Sequence, residues 1–198
     1  MKTSIVREMK INKYIYRFSE RDENSLSAYS NHSSLFSVKK CIVISGNDEI
    51  ILKESSMFLK MLNALPLLNT ETFEPFCILK NENVISRSQK VFLKPYFTFN
   101  IENKTYKLSL NGNNHINISV DNLSAADYYR ETISYAEKYT YEVEFDCSLI
   151  SREYVLLFCM FSDYVFFRNH TSFSGIKYEK WFWKDITLNI PLFFVKTT

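Results

Sequence analysis

Residues 152–168, REYVLLFCMFSDYVFFR, decide the fold. From Tyr154 to Phe167 only Ser162 and Asp163 interrupt the apolar side chains, so the segment has no polar face and must be buried on all sides. The 14 residues from Tyr154 to Phe167 fall short of the roughly 20 that span a bilayer. We therefore expect a core element near the C-terminus.

The composition of this segment favours a helix. Leu and Met outnumber Val, Ser151 suits the N-cap, and Glu153 and Arg168 carry the charges that stabilise the two ends of a helix. A short apolar run can also form a buried hairpin, here turning at Ser162-Asp163, and periodicity alone does not separate the two. The sequence predicts the helix and keeps the hairpin as the alternative.

Asp163 is the single acid within this run. A carboxyl group in an apolar setting is often a functional acid. It can equally mark a turn, or accept hydrogen bonds from a local N–H or an arginine. We favour this structural role.

The composition is that of one globular domain. A chain of 198 residues with 46% hydrophobic side chains can build a substantial core. The formal net charge of +2 neither favours nor excludes a nucleic acid or a membrane surface. We expect a single domain over residues 1–198, with a core at 11–168 and an aromatic extension at 169–198.

The cysteines and the first residues indicate a reducing compartment. Cys41, Cys77, Cys147 and Cys159 are widely spaced, so we expect four reduced, buried thiols rather than two disulfides or a metal site. The first residues, MKTSIVREMKINKY, lack the apolar region of a secretory signal. The sequence therefore predicts a cytoplasmic location.

Much of the chain alternates with the two-residue period of half-buried strands. The predicted strands are 11–18, 38–44, 49–53, 76–80, 84 onward, 97–101, 106–110, 116–120 and 139–145. Tight turns rich in Asn and Gly connect several of them, as at Ser45-Gly46-Asn47-Asp48. Between the strands we expect a mobile loop at 19–34, a helix from Ser55 to Pro66, and a short helix or ordered insertion at 124–138.

Several familiar sites are absent from the sequence. The three glycines are too far apart for a phosphate-binding loop, the three histidines are isolated, and there is no GxSxG motif. We expect no cofactor and no metal. An enzyme with a Cys–His pair assembled from distant positions is the third alternative for the function.

Basic residues concentrate between positions 80 and 107. Six cations, Lys80, Arg87, Lys90, Lys94, Lys104 and Lys107, stand against Glu82 and Glu102, which gives six minus two, or +4. Such a cluster is usually a solvated sheet face, but it can attract phospholipid head groups. Phe97, Phe99 and Tyr106 fall in register for the core, so we expect no nucleic-acid partner.

The last thirty residues are rich in aromatic side chains. Trp181 and Trp183 are followed by the apolar run 192–195. This segment is either a strap over the core or a surface that binds a partner or a membrane interface.

Residues 84–110, VISRSQKVFLKPYFTFNIENKTYKLSL, have the pattern of paired strands with a short polar turn, and residues 151–158, SREYVLLF, have the pattern of the start of an apolar helix. This combination resembles the tubby-like group of proteins, which includes tubby C-terminal domains, the phospholipid scramblases and LURP-one-related proteins. The resemblance implies an antiparallel β-barrel, or a strongly curved meander, that encloses the near-C-terminal helix. It also implies a non-enzymatic role, with phosphoinositide binding by Lys and Arg of the barrel wall in tubby itself.

The sequence therefore predicts a mainly β, non-enzymatic binding or scaffold module, peripheral to anionic membranes. The candidate head-group ligands are Lys90, Lys94, Lys104 and Lys107. The alternative is a protein-binding module of the inhibitor or immunity type that uses Trp181 and Trp183.

Overall fold

The computed structural model describes residues 1–11, 13–19, 26–31, 39–55, 72–73, 76–91, 96–112, 114–130 and 138–167, with the backbone alone at 72–73, 90–91 and 138–139. Within these ranges there are thirteen strands and one helix, α1 (Arg152–Phe166). The strands are β1 (Lys2–Lys10), β2 (Lys13–Phe18), β3 (Leu26–Asn31), β4 (Lys40–Ser45), β5 (Asp48–Glu54), β6 (Thr72–Phe73), β7 (Phe76–Lys80), β8 (Asn83–Val91), β9 (Tyr96–Ile101), β10 (Lys104–Asn111), β11 (His115–Val120), β12 (Leu123–Arg130) and β13 (Lys138–Phe145).

Twelve of these strands form a closed antiparallel barrel. Around the barrel they follow the order β8, β7, β5, β4, β3, β2, β1, β13, β12, β11, β10 and β9, and pairing of β8 with β9 closes the ring. The short strand β6 pairs with β8 outside this ring. The predicted class, a mainly β antiparallel barrel with a helix near the C-terminus, is confirmed.

Four two-residue turns lie at one end of the barrel, which we call the turn end. Three of them, at 81–82, 102–103 and 121–122, have positive φ at both residues. This is the geometry of the type I′ turn, whose twist matches that of paired strands. In the fourth turn Gly46 supplies the positive φ, at 58°. The predicted hairpin at Ser45-Gly46-Asn47-Asp48 is confirmed, since Ser45 pairs with Asp48.

Helix α1 confirms the helical interpretation of the apolar run over the hairpin. Ten consecutive residues, 154–163, are buried. Ser151 occupies the N-cap position, but its side chain makes no capping hydrogen bond. The helix ends at Phe166, and Arg168, predicted to stabilise that end, lies outside the described residues. No helix in the described part of the chain has the length and hydropathy of a membrane-spanning segment.

Strands from several parts of the barrel pack against α1. Phe161 meets the rings of Phe76, Phe97 and Phe99 edge-on, with centroids 4.9, 5.1 and 5.4 Å away. The hydroxyl of Tyr128 donates a hydrogen bond to the carbonyl of Val155 at 2.9 Å. Further contacts come from β2, β3, β4, β5 and β10. Buried residues of the helix and of these strands therefore belong to one hydrophobic core.

The local structure differs from the sequence prediction at four places, and a fifth prediction lies outside the described residues. Residues 26–31, expected in a loop, form β3, and residues 124–130, expected in a helix or insertion, belong to β12. Each of these strands pairs with one neighbouring strand on each side, and this pairing outweighs the local propensity. No strand was predicted at residues 2–10, which form β1. Cys147, expected to be buried, is exposed, whereas the other three cysteines are buried. The predicted helix at 55–66 lies outside the described residues except at Ser55.

Candidate functional site

One row of side chains on the outer wall carries five positive charges. Residues that pair across neighbouring strands share one face of the sheet. Lys10 of β1 pairs with Lys13 of β2, and Lys40 of β4 pairs with Lys53 of β5. Arg87 of β8 is the last cation of the row. We call these five residues the basic row.

The basic row continues through two neutral positions. The side-chain oxygen of Asn31 accepts a hydrogen bond from the backbone N–H of Lys40 at 2.7 Å. Cys77, which is only 5% exposed, pairs with Lys53 on one side and with Arg87 on the other. In order, the seven positions are Lys10, Lys13, Asn31, Lys40, Lys53, Cys77 and Arg87. The row crosses seven neighbouring strands, and none of its positions is an acid.

Two pairs in this row bring like charges directly opposite each other. Such pairs destabilise a sheet, by an amount similar to the roughly 0.2–1 kcal/mol that opposite charges contribute. Lys10, Lys13, Lys40 and Arg87 are exposed, and Lys53 is half-buried. An anionic surface against the row would relieve this repulsion, so the arrangement favours an anionic partner.

The wall formed by β12 and β13 has the opposite charge. Asp127 pairs with Glu144, and Glu142 lies two residues before Glu144 on the same face. Lys2 forms an ion pair with Glu144 at 3.3 Å, which offsets part of this charge. We call Asp127, Glu142 and Glu144 the acidic wall. The barrel is therefore electrostatically asymmetric, and such asymmetry orients a protein near a charged surface.

A polar network around Asp127 contains serine, histidine and acid but does not form a nucleophile site. His115 Nε2 lies 2.6 Å from one carboxylate oxygen of Asp127, and the Ser124 hydroxyl lies 3.4 Å from the other. Asn117 donates to both Asp127 and Ser124. Activation of a serine requires a base as its direct neighbour. Here the acid separates Ser124 from the imidazole, so the network is better suited to fixing β11 to β12.

A buried ionic cluster fixes the last turns of α1 to β1, β2, β12 and β13. Asp163 accepts hydrogen bonds from the hydroxyls of Tyr16 and Tyr141, at 2.7 and 2.5 Å. It also forms ion pairs with Arg7 at 3.2 Å and Arg130 at 3.9 Å. All five side chains are buried. The structural role predicted for Asp163, with an arginine partner, is confirmed.

Burial and the charge of Asp163 keep the tyrosines of the cluster neutral. Burial first, and the nearby carboxylate second, raise the pKa of Tyr16 and of Tyr141 well above 10. Burial alone would lower the pKa of Arg7, but Asp163 and the surrounding phenol groups raise it. Each tyrosine therefore remains a hydrogen-bond donor, and the arginine remains charged.

Two of the cavities that open at the surface are lined by lysines and tyrosines of the barrel. The larger, about 410 Å³, lies at the turn end where α1 begins and has Tyr106, Tyr154 and Ile150 among its lining residues. Burial raises the pKa of Tyr154 to about 12. The smaller, about 310 Å³, is bordered by β9, β10 and β11 and includes Tyr96 and Lys107. Within the described ranges, no three His, Cys, Asp or Glu side chains are placed to hold a metal ion.

The lysines predicted as head-group ligands do not all lie on one surface. Lys104 is exposed and lines the larger cavity, whereas Lys107 lines the smaller one, with its Nζ 4.6 Å from the centroid of the Tyr96 ring. The two lysines are three residues apart in β10, so they point to opposite faces of the sheet. Only the backbone of Lys90 is described, opposite Phe73 of β6.

The remaining predicted site residues lie outside the described residues. These are Lys94, Trp181 and Trp183. Their proposed roles in binding a head group and a protein partner stay predictions.

The basic row was not predicted from the sequence. Apart from Arg87, its members lie outside the cluster at 80–107. The hairpin of β4 and β5 was predicted, and its register alone places Lys40 opposite Lys53. That pair of opposed lysines was the one sign of the basic row that the sequence offered. The rest of the row depends on pairing between strands that are distant in sequence.

Comparison of the chain with models of protein families, with curated proteins and with solved structures finds no significant match. The class of the protein is therefore defined by the fold of its described residues, a twelve-stranded antiparallel barrel with a buried helix, and by the charge asymmetry of the wall. Membership of the tubby-like group stays a prediction.

Proposed function

We propose that the barrel encloses α1 and that the protein is a non-enzymatic module that docks on anionic membranes. The closed ring of strands and the burial of ten consecutive helical residues support the first part. A barrel filled by its own helix offers ligands its outer wall and its ends. The proposed docking surface is accordingly the outer wall.

The basic row is the observation that carries this proposal. A Lys or Arg near an anionic bilayer contributes about 1 kcal/mol. Because the row crosses more than half of the twelve barrel strands, a convex wall brings only its centre to the bilayer, where Lys40 and Lys53 together contribute about 2 kcal/mol. Each 1.4 kcal/mol is a tenfold change, so this attraction amounts to more than one power of ten in affinity. The acidic wall lies elsewhere on the barrel and would turn away from the bilayer. The required surface is the anionic cytoplasmic leaflet.

Co-sedimentation with vesicles tests the proposal. We expect binding to vesicles that contain phosphatidylserine, weak binding to phosphatidylcholine alone, and loss of binding at high salt, because salt screens exposed charges. Absence of binding to phosphatidylserine vesicles at low salt would contradict the proposed function.

Two double variants with the same change in net charge identify the surface. Lys40→Glu/Lys53→Glu reverses the centre of the basic row, and Lys104→Glu/Lys107→Glu reverses two of the lysines predicted from the sequence. We expect the first variant to abolish vesicle binding and the second to retain most of it. The opposite result would assign the function to the sequence-predicted lysines.

The single variant Lys40→Glu tests the argument from like charges. It replaces a repulsive pair with Lys53 by an attractive one, so we expect a gain of roughly 0.5–1 kcal/mol in stability together with weaker vesicle binding. Urea unfolding measures the first effect. A loss of stability would show that repulsion within the row is not relieved by the substitution.

A further inference from the structure

A second row of outward-facing side chains lies beside the basic row and is apolar. Each member pairs with the next across neighbouring strands: Ile15 with Tyr29, Tyr29 with Ile42, Ile42 with Ile51, Ile51 with Leu79, and Leu79 with Val84. The series crosses β2, β3, β4, β5, β7 and β8. With strands about 4.8 Å apart, it is about 24 Å long. Val84 is 52% exposed and Leu79 only 8%, and the other four side chains are half-buried. We call these six residues the apolar row.

The two rows run parallel on the same face of the barrel. Ile42 lies two residues after Lys40 in β4, and Ile51 lies two residues before Lys53 in β5. At about 3.3 Å per residue, the rows are about 7 Å apart. The wall therefore presents a band of cations along one side of a band of aliphatic groups.

This juxtaposition selects among anionic partners. A soluble polyanion gains from the cations alone, and a nucleic acid would gain most from open aromatic faces. The row is aliphatic except for Tyr29, whose ring has the Lys13 ammonium 5.1 Å from its centroid. Aliphatic groups beside cations match the boundary between head groups and acyl chains.

Given the proposed function, on which this inference rests, we propose that the barrel lies on its side on an anionic bilayer. The basic row contacts the phosphate groups, and the apolar row enters the boundary beneath them. The apolar row crosses half of the twelve barrel strands, and a convex wall cannot bring all of them to a plane. The half-buried central residues Ile42 and Ile51 make the deepest contact. Leu79, which is 8% exposed, and Ile15 at the end of the row contribute least.

Paired substitutions on the two walls test the orientation. Ile42→Ser/Ile51→Ser changes the centre of the apolar row. Leu123→Ser/Tyr129→Ser is the control on the other wall, where Leu123 and Tyr129 are 60% and 49% exposed on β12, more than the half-buried Ile42 and Ile51. Binding to phosphatidylserine vesicles and to heparin, a soluble polyanion, is measured for both. We expect the first variant to lose about tenfold or more in vesicle affinity and to retain heparin binding, and the control to retain both.

The possible results separate this inference from the proposed function. Vesicle binding that is equal in both double variants would overturn the side-on orientation and leave membrane docking in place. Failure of the unmodified protein to bind vesicles would remove both. A self-association that Ile42→Ser/Ile51→Ser abolishes, seen by sedimentation, would assign the apolar row to a second copy of the chain and overturn the inference.

A probe at one position gives a measurement that does not depend on how well the serine variants fold. Ile51→Cys, in a Cys147→Ser background, carries a polarity-sensitive dye on the apolar row, and Tyr129→Cys carries it on the other wall. We expect the emission of the first probe to shift to the blue on phosphatidylserine vesicles and that of the second to stay unchanged. An unchanged emission at Ile51 would overturn the inference.

Discussion

Replacement of Asp163 by Asn is the most informative test of how α1 is held. The substitution preserves the shape of the side chain and removes its charge. In the native protein this carboxylate is 6% exposed and accepts two tyrosine hydrogen bonds. It also lies within 4 Å of Arg7 and Arg130.

The expected loss of stability follows from this environment. Removal of one partner from a buried ion pair costs about 3–5 kcal/mol, because the other charge stays buried with less compensation. The Asn oxygen can still accept one tyrosine hydroxyl, which favours the lower part of that range. We therefore expect Asp163→Asn to lower the free energy of unfolding by about 3 kcal/mol.

Urea unfolding at neutral pH measures this loss, and Glu153→Gln is the matched control. It makes the same change of charge on the same helix, at a residue that is half-buried and hydrogen-bonded to Ser45. We expect the control to cost less than about 1 kcal/mol. Equal effects of the two substitutions would refute the account of the cluster. In a double-mutant cycle, Arg7→Met should cost less in the Asp163→Asn background than in the native one.

Further predictions concern titration, a turn and the helix. Burial raises the pKa of Tyr16, Tyr128 and Tyr141 above 10, so their contribution to stability is complete below pH 10 and is lost as pH rises toward the folded-state values. For the three tyrosines together we expect the free energy of unfolding to fall by about 4 kcal/mol per pH unit above pH 10. Tyr141→Phe should reduce this slope by about a third. A free energy of unfolding that does not change with pH above 10 would contradict this. Glu82 has a φ of 70°, a left-handed conformation that is strained for a residue with a side chain. We therefore expect Glu82→Gly to raise the free energy of unfolding, measured with urea, by about 1 kcal/mol, and a decrease would contradict this. Leu157 is fully buried. We expect Leu157→Asp to abolish cooperative unfolding, and Leu157→Ala to retain it with a loss of about 2–5 kcal/mol in stability. A near-native melting temperature of the Asp variant would contradict a buried helix.

Strong local patterns made much of the fold predictable. In β10 and β11, large apolar residues alternate with polar ones, and the turns between strands contain Asn or Gly. Strand β3 was missed because its inward positions, Leu26, Ala28 and Ser30, include two small residues that give little contrast. Strand β12 was missed because Ser124 and Asp127 have the spacing of a helix cap. In the strand these two residues still contact each other, as part of the surface network.

The candidate site was less predictable than the fold, for a physical reason. A strand pattern shows which residues share a face, but not which residues of other strands lie beside them. Lys53 and Cys77 are 24 positions apart, and only the pairing of β5 with β7 brings them together. The same limit hid the partners of Asp163, since Tyr16 is 147 positions away.

Amide hydrogen exchange in residues 154–163 tests most directly whether the barrel encloses α1. An enclosed helix exchanges only when the barrel itself opens. We therefore predict that these amides exchange as slowly as those of β4 and β10, with a free energy of opening equal to that of global unfolding. Exchange in α1 at an opening free energy several kcal/mol lower, while the strands stay protected, would contradict an enclosed helix and with it the proposal that ligands meet only the wall and the ends.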